Sequence, residues 1–151
     1  MKIIVILLIA AFVGASQPAS AANPWKKQKK YFPSWIGKIY IGMKQDDLLK
    51  KRSAKVFPNQ KSGKVKAVES FDGKEPSAVN EVEYSFSADD NLLIQVVIKY
   101  SPLAKAAEIA EKLYGKPNNG KEWLYKISND LSLKIWLKED ILYIADKKYF
   151  F

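Results

Sequence analysis

Apolar residues fall along this chain in three rhythms. From Ile3 to Val13 they are continuous, with Lys2 before them and Gly14 and Pro18 after. Later they alternate with polar residues. Val82, Tyr84 and Phe86 interleave with Glu81, Glu83 and Ser85, and Leu92, Ile94, Val96, Ile98 and Tyr100 follow after Ala88-Asp89-Asp90-Asn91. Period two predicts half-buried strands, here joined by a hairpin turn. Trp123 to Ile127, Leu131 to Leu137 and Ile141 to Asp146 read as three more strands, and Val65 to Phe71 as a weaker one. The third rhythm is helical. Leu103, Ala106, Ala107, Ala110, Leu113 and Tyr114 share one face of a helix that Ser101 caps, Pro102 opens and Gly115 with Pro117 ends. A shorter helix is predicted over Met43 to Arg52. Asp46 and Asp47 sit in its first turn and Lys50, Lys51 and Arg52 in its last, as the helix dipole favours, and Met43 with Leu48 has hydrophobic-staple spacing.

The elements repeat in order: a helix and three strands, then a helix and three strands. Tyr40 to Pro58 and Tyr100 to Pro117 are close in length and each closes on Pro-Asn, which suggests a degenerate duplication. The expected fold is α+β: two degenerate helix-plus-three-strand units, with both helices packed on one face of an antiparallel sheet. That packing would bury Leu48, Leu49, Leu103, Ala107, Ala110 and Leu113.

The continuous run has a different meaning. A basic start, a short apolar stretch and small residues at Ala19 and Ala21 form a cleavable signal peptide over residues 1–21, with a cut after Ala22 as the alternative. The run is shorter than the ~18 residues a bilayer crossing requires. The expected organisation is therefore a signal peptide at 1–21, a basic and aromatic arm at 22–35, and a single domain at 36–151, exported to the periplasm or the medium. No transmembrane segment is expected in the mature chain.

Composition sharpens this. The sequence has no Cys and no His. An exported domain of this size must then be held by core packing and not by disulfides, and there is no thiol for a lipid anchor. The usual general base, the activated thiol and most zinc and copper sites are absent as well. No catalytic residue, cofactor site or metal site is assigned. Carboxylate pairs remain at Asp46-Asp47, Asp89-Asp90 and Glu139-Asp140, the machinery a polysaccharide hydrolase would use. All three fall at a helix start or in a hairpin turn, where Asp has a local structural use.

Ile41-Gly42-Met43-Lys44-Gln45-Asp46-Asp47-Leu48 resembles the glycine-methionine approach to an acidic first helical turn of the BamE/SmpA outer-membrane-assembly lipoproteins and the wider group sharing the β-lactamase-inhibitory-protein fold. Leu113-Tyr114-Gly115-Lys116-Pro117 is similar to that group's glycine-proline helix exit. The chain departs from the pattern in carrying Lys44 where a Ser or Thr cap is usual, in lacking a glycine exit over Ala54 to Phe57, and in lacking the lipoprotein cysteine. The resemblance implies a non-catalytic binding, assembly or inhibitory module that acts by surface contact.

Charge points to the kind of partner. Residues 26 to 66 hold thirteen Lys or Arg against Asp46 and Asp47, whereas residues 67 to 151 hold eleven against fourteen acidic side chains. Lys26, Lys27, Lys29 and Lys30 are interleaved with Trp25, Tyr31, Phe32 and Trp35. This composition suits anionic lipid head groups or an acidic glycan. Trp25, Lys26, Lys27, Lys29, Lys30, Tyr31 and Trp35 are the candidate contacts, with an envelope protein as the other expected partner. Export makes nucleic acid an unexpected one.

Overall fold

In the computed structural model, residues 23–58, 65–71 and 78–150 are described; residues 1–21, expected from the sequence to be a signal peptide, lie outside them with Ala19 and Ala21. Three helices, α1 (Pro24–Gln28), α2 (Gln45–Leu49) and α3 (Ala106–Tyr114), accompany seven strands: β1 (Lys55–Pro58), β2 (Val65–Ser70), β3 (Val79–Phe86), β4 (Leu93–Tyr100), β5 (Glu122–Lys126), β6 (Ser132–Lys138) and β7 (Ile141–Asp146). The fold is α+β, built on one antiparallel sheet in the order β1-β2-β3-β4-β7-β6-β5. β2-β3-β4 and β5-β6-β7 are each a three-strand meander, joined where β4 pairs with β7. Among the described residues no helix is long and apolar enough to cross a membrane.

Alternation sorts the side chains into two faces. On the inner face, Val56, Ala67, Tyr84, Val96, Ile144, Ile135 and Trp123 are successive cross-strand partners, a row that crosses the whole sheet. All of them except Val56 are buried. On the outer face the parallel row runs Lys55, Val68, Glu83, Val97, Tyr143, Trp136 and Glu122. Trp136 and Tyr143 stack there with ring centroids 4.7 Å apart, and Phe150 lies against Trp136. Lys66 and Lys99 bridge to Glu83, and Lys99 also to Glu81.

The helices depart from the sequence expectation. Asp46 and Asp47 do occupy the first turn of α2, and Met43 and Leu48 are both buried. The helix expected from Ser101 is interrupted, however. Pro102–Ala104 form a 3-10 turn, Lys105 turns left-handed at φ 48°, and α3 starts afresh at Ala106. The break resets the face. Ala106, Ala110 and Tyr114, four residues apart, are buried, while Leu103 is 91% exposed and Ala107 is also on the surface. Leu103 and Ala107 are therefore not core residues, and Leu49 and Leu113 are only partly buried.

Candidate anionic-partner surface

The arm is folded. Asn23 accepts a hydrogen bond from the Trp25 N–H at 3.1 Å, Pro24 fills the first helical position, and α1 passes at Gln28 into the 3-10 turn Lys29–Tyr31. Gln28 fixes this segment to the domain. Its side chain is 1% exposed, accepts from the Ile41 N–H at 2.9 Å and donates to the Ile41 carbonyl at 3.1 Å. One amide thus satisfies both backbone groups of one residue, as a strand neighbour would. The aromatic residues complete the anchor. The Tyr31 ring lies 4.5 Å from that of Tyr125, and the Tyr31 carbonyl accepts from the buried Tyr114 hydroxyl at 3.1 Å. Phe32 and Ile36 are buried in the core, and Trp35 is half-buried, edge-on to Phe71.

The two stretches that carry the family resemblance form the receiving surface. Gly42 has φ 90°, a backbone that side-chain-bearing residues rarely adopt, and its N–H reaches the Leu93 carbonyl at 2.8 Å. The Met43 carbonyl accepts from the Leu93 N–H at 2.8 Å, so the chain around Gly42 is sewn to the start of β4. At the other stretch Gly115 ends α3 with φ 72°, and its carbonyl accepts from the Trp123 indole at 3.0 Å.

The candidate contacts therefore divide. Tyr31 is used by the core, Trp35 is packed against Phe71, and Trp25 is half-buried. Lys26, Lys27, Lys29 and Lys30 are all exposed, and among the described residues none of the four pairs with an acidic side chain. Lys30 lies 4.9 Å from the centroid of the Tyr31 ring. Four ammonium groups are thus held on a short helical segment that buried contacts fix to the sheet.

Open depressions follow the same end of the molecule. One of about 150 Å³ lies between Pro24, Lys27 and Gln28 and the β5–β6 turn at Ile127, Ser128 and Leu131. Leu131 also borders a second, of about 170 Å³, lined by Ile41, Leu93, Tyr149, Asp146 and Lys148 among others. Lys27 lines the first, whereas the second carries Asp130 and Asp146 beside Lys148, which pairs with Asp146. Gln28 and the depressions were not legible in the sequence, because a polar residue in a lysine-rich stretch carries no signal that it will be buried.

The carboxylate pairs lie apart from these two depressions; Asp46 and Asp90, one from each of two pairs, line a third of about 340 Å³ with Lys44, Gln45 and Asn91. Asp46 and Asp47 are exposed in the first turn of α2. Asp90 accepts from the Ser87 hydroxyl and the Leu92 N–H in the β3–β4 turn, bonds that hold its carboxyl below the usual range, the opposite of what a general acid requires. Glu139 turns the β6–β7 hairpin at φ 55°. Among the described residues no three His, Cys, Asp or Glu side chains converge as a metal site. Comparison with family models, curated proteins and solved structures finds no match to the chain.

Proposed function

We propose that this protein is an exported, non-catalytic binding module of the cell envelope, and that it meets an anionic membrane surface through Lys26, Lys27, Lys29 and Lys30. The observation that carries the reading is the pairing of four uncompensated, exposed ammonium groups with an anchor of buried groups, Gln28, Tyr31 and Phe32. Lysines on a flexible tail lose conformational freedom on binding, whereas here the backbone that bears them is already fixed. Each lysine near an anionic surface contributes about 1 kcal/mol. The resemblance to BamE/SmpA-like envelope proteins supports the same class of role, and the residues of that resemblance hold the arm in place.

The test is sedimentation of the purified protein with phosphatidylglycerol vesicles and with phosphatidylcholine vesicles. Binding should be confined to the anionic vesicles. It should weaken as salt is raised from about 0.1 M to about 1 M, where the screening length falls from about 10 Å to about 3 Å. Replacing the four lysines by Gln should abolish it without loss of folding. Equal binding to neutral vesicles, or retained binding by the Gln variant, overturns the proposal. Binding to an acidic glycan with no binding to vesicles reassigns the partner.

A further inference from the structure

The two outer strands of the sheet end differently. At the β5 edge the side chain of Asn118 accepts from the Leu124 N–H at 2.8 Å and donates to the Leu124 carbonyl at 3.2 Å, occupying both groups as another strand would. At the β1 edge no strand or side chain among the described residues plays that part. Val56 is 42% exposed and Phe57 52%, and with Leu103 they are the exposed large hydrophobic residues among those described. Two of the three thus lie side by side on a four-residue edge strand, pointing to opposite faces.

We propose that β1 receives an extended acidic segment of another protein by strand addition. Its added backbone would continue the sheet, with apolar side chains beside Val56 on the inner row and beside Phe57 on the outer face. Charge decides the occupant. Lys55 on the strand and Lys51 in the turn before it are exposed and have no acidic partner among the described residues, whereas Lys50 pairs with Asp47, and Lys66, the cross-strand partner of Phe57, pairs with Glu83. Residues 50 to 58 contain no acidic side chain. A second copy would bring the same cations together, which opposes self-pairing, whereas an acidic segment meets them with opposite charge. Shortness, Lys55 and Pro58 are features that blunt an edge against indiscriminate pairing. They restrict the site to a partner that compensates the charge. The edge is separate from the Lys26–Lys30 platform and rests on different observations.

The experiment measures fluorescence anisotropy of a labelled peptide that carries an adjacent Val-Phe pair, one side chain for each face, flanked by Glu on both sides, titrated with the purified protein at low salt. A matched peptide with Lys in place of Glu serves as the second probe. The acidic peptide should bind and the basic one should not. Phe57→Glu should weaken binding by about tenfold or more, since it replaces an apolar contact by a repelling charge. Val56→Pro, which removes a backbone donor, should do the same, and circular dichroism checks that each variant is folded. Replacing Lys26, Lys27, Lys29 and Lys30 by Gln should leave β1-directed binding of the peptide in place, and its sensitivity to Phe57→Glu should remain. No binding of the acidic peptide, equal binding of both peptides, or indifference to Phe57→Glu overturns the proposal. A dimer in sedimentation velocity that Phe57→Glu dissociates also overturns it, by assigning the edge to a second copy.

Discussion

Val56 and Trp123 stand at the two ends of one row of cross-strand partners, yet their surroundings differ. Trp123 is buried, its indole bonded to the Gly115 carbonyl and its ring 5.4 Å from that of Tyr114. Val56 faces solvent over nearly half its surface. The next row repeats the contrast, with Phe57 exposed at one end and Leu124, bonded to Asn118, at the other. The second meander is sealed because its helix exit folds back along its own edge strand. In the first, residues 50–54 lead from α2 into β1, and the hydrogen bonds of Arg52 go to Glu69 and the Ile36 carbonyl; among the described residues none from this stretch reaches the outer edge of β1. An identical position in a sheet is core or surface according to what the connecting loop does next.

The largest expected effect tests that difference directly. Trp123→Ala should cost about 3 to 5 kcal/mol in urea unfolding, as buried aromatic truncations do. Val56→Ala at the opposite end should stay within about 0.5 kcal/mol. Similar costs at both ends would mean that β1 is covered as β5 is.

The first meander is secured from beneath by an ion pair. Arg52 Nε lies 2.7 Å from Glu69 Oε2, which also accepts from the Tyr84 hydroxyl at 3.2 Å, and both charged side chains are mostly shielded from solvent. Removing Arg52 leaves a partly buried carboxylate with one partner. Arg52→Met should therefore destabilise by about 1 to 3 kcal/mol. Adding Glu69→Leu together with Tyr84→Phe should recover much of the loss, since the pair and the buried hydroxyl that donates to it are then replaced by apolar contact. Failure to recover would show that Arg52 acts through its contacts with Phe71 and the Ile36 carbonyl instead.

Asn118→Ala removes two hydrogen bonds from the sealed edge and should cost about 1 to 2 kcal/mol. Its sharper readout is recognition. With Leu124 uncovered, the β5 edge should begin to bind strand-forming peptides, and unchanged peptide specificity would show that Asn118 is not the seal.

The smallest effect lies on the outer face between the edges. Burial works against ionisation of Glu83, but hydrogen bonds from Lys66 and Lys99 prevail and hold its carboxyl below the ordinary value of 4.5. A carboxyl depressed in the folded state stabilises above its unfolded value and loses that contribution as pH falls through its folded value. Stability should therefore fall on acidification below about pH 4.5, and Glu83→Gln should flatten that part of the profile. Lys66 is about half exposed, so the change should stay below about 1 kcal/mol. Urea midpoints across that pH range provide the measurement.

The strands were legible where apolar and polar residues alternate, and the short β2 and β5 were read to within one residue at each end. β3, β4, β6 and β7 were read within a few residues, because eight or so positions of period two leave one assignment for each face. β1 was missed: four residues containing Lys55 and Pro58 form a strand only because β2 lies beside them. In the candidate surface the four lysines were legible as charge. The burial of Tyr31 and Gln28 was not, since it depends on Tyr125, Tyr114 and Ile41, residues distant along the chain.

By itself the sequence determined the α+β class, the hairpin meanders, the glycine that ends α3 and the excess of positive charge in residues 26 to 66. These are local properties, set by side-chain alternation, by backbone conformations that glycine adopts readily, and by a count of charges. The tertiary structure alone decided that β4 and β7 meet at the centre of the sheet, that Lys105 turns Leu103 out of the core, that the arm is docked by Gln28, and that one edge is closed while the other is open. Each of these depends on which distant segment reaches a given backbone group first, and hydrogen bonds between segments remote in sequence leave no periodicity in either.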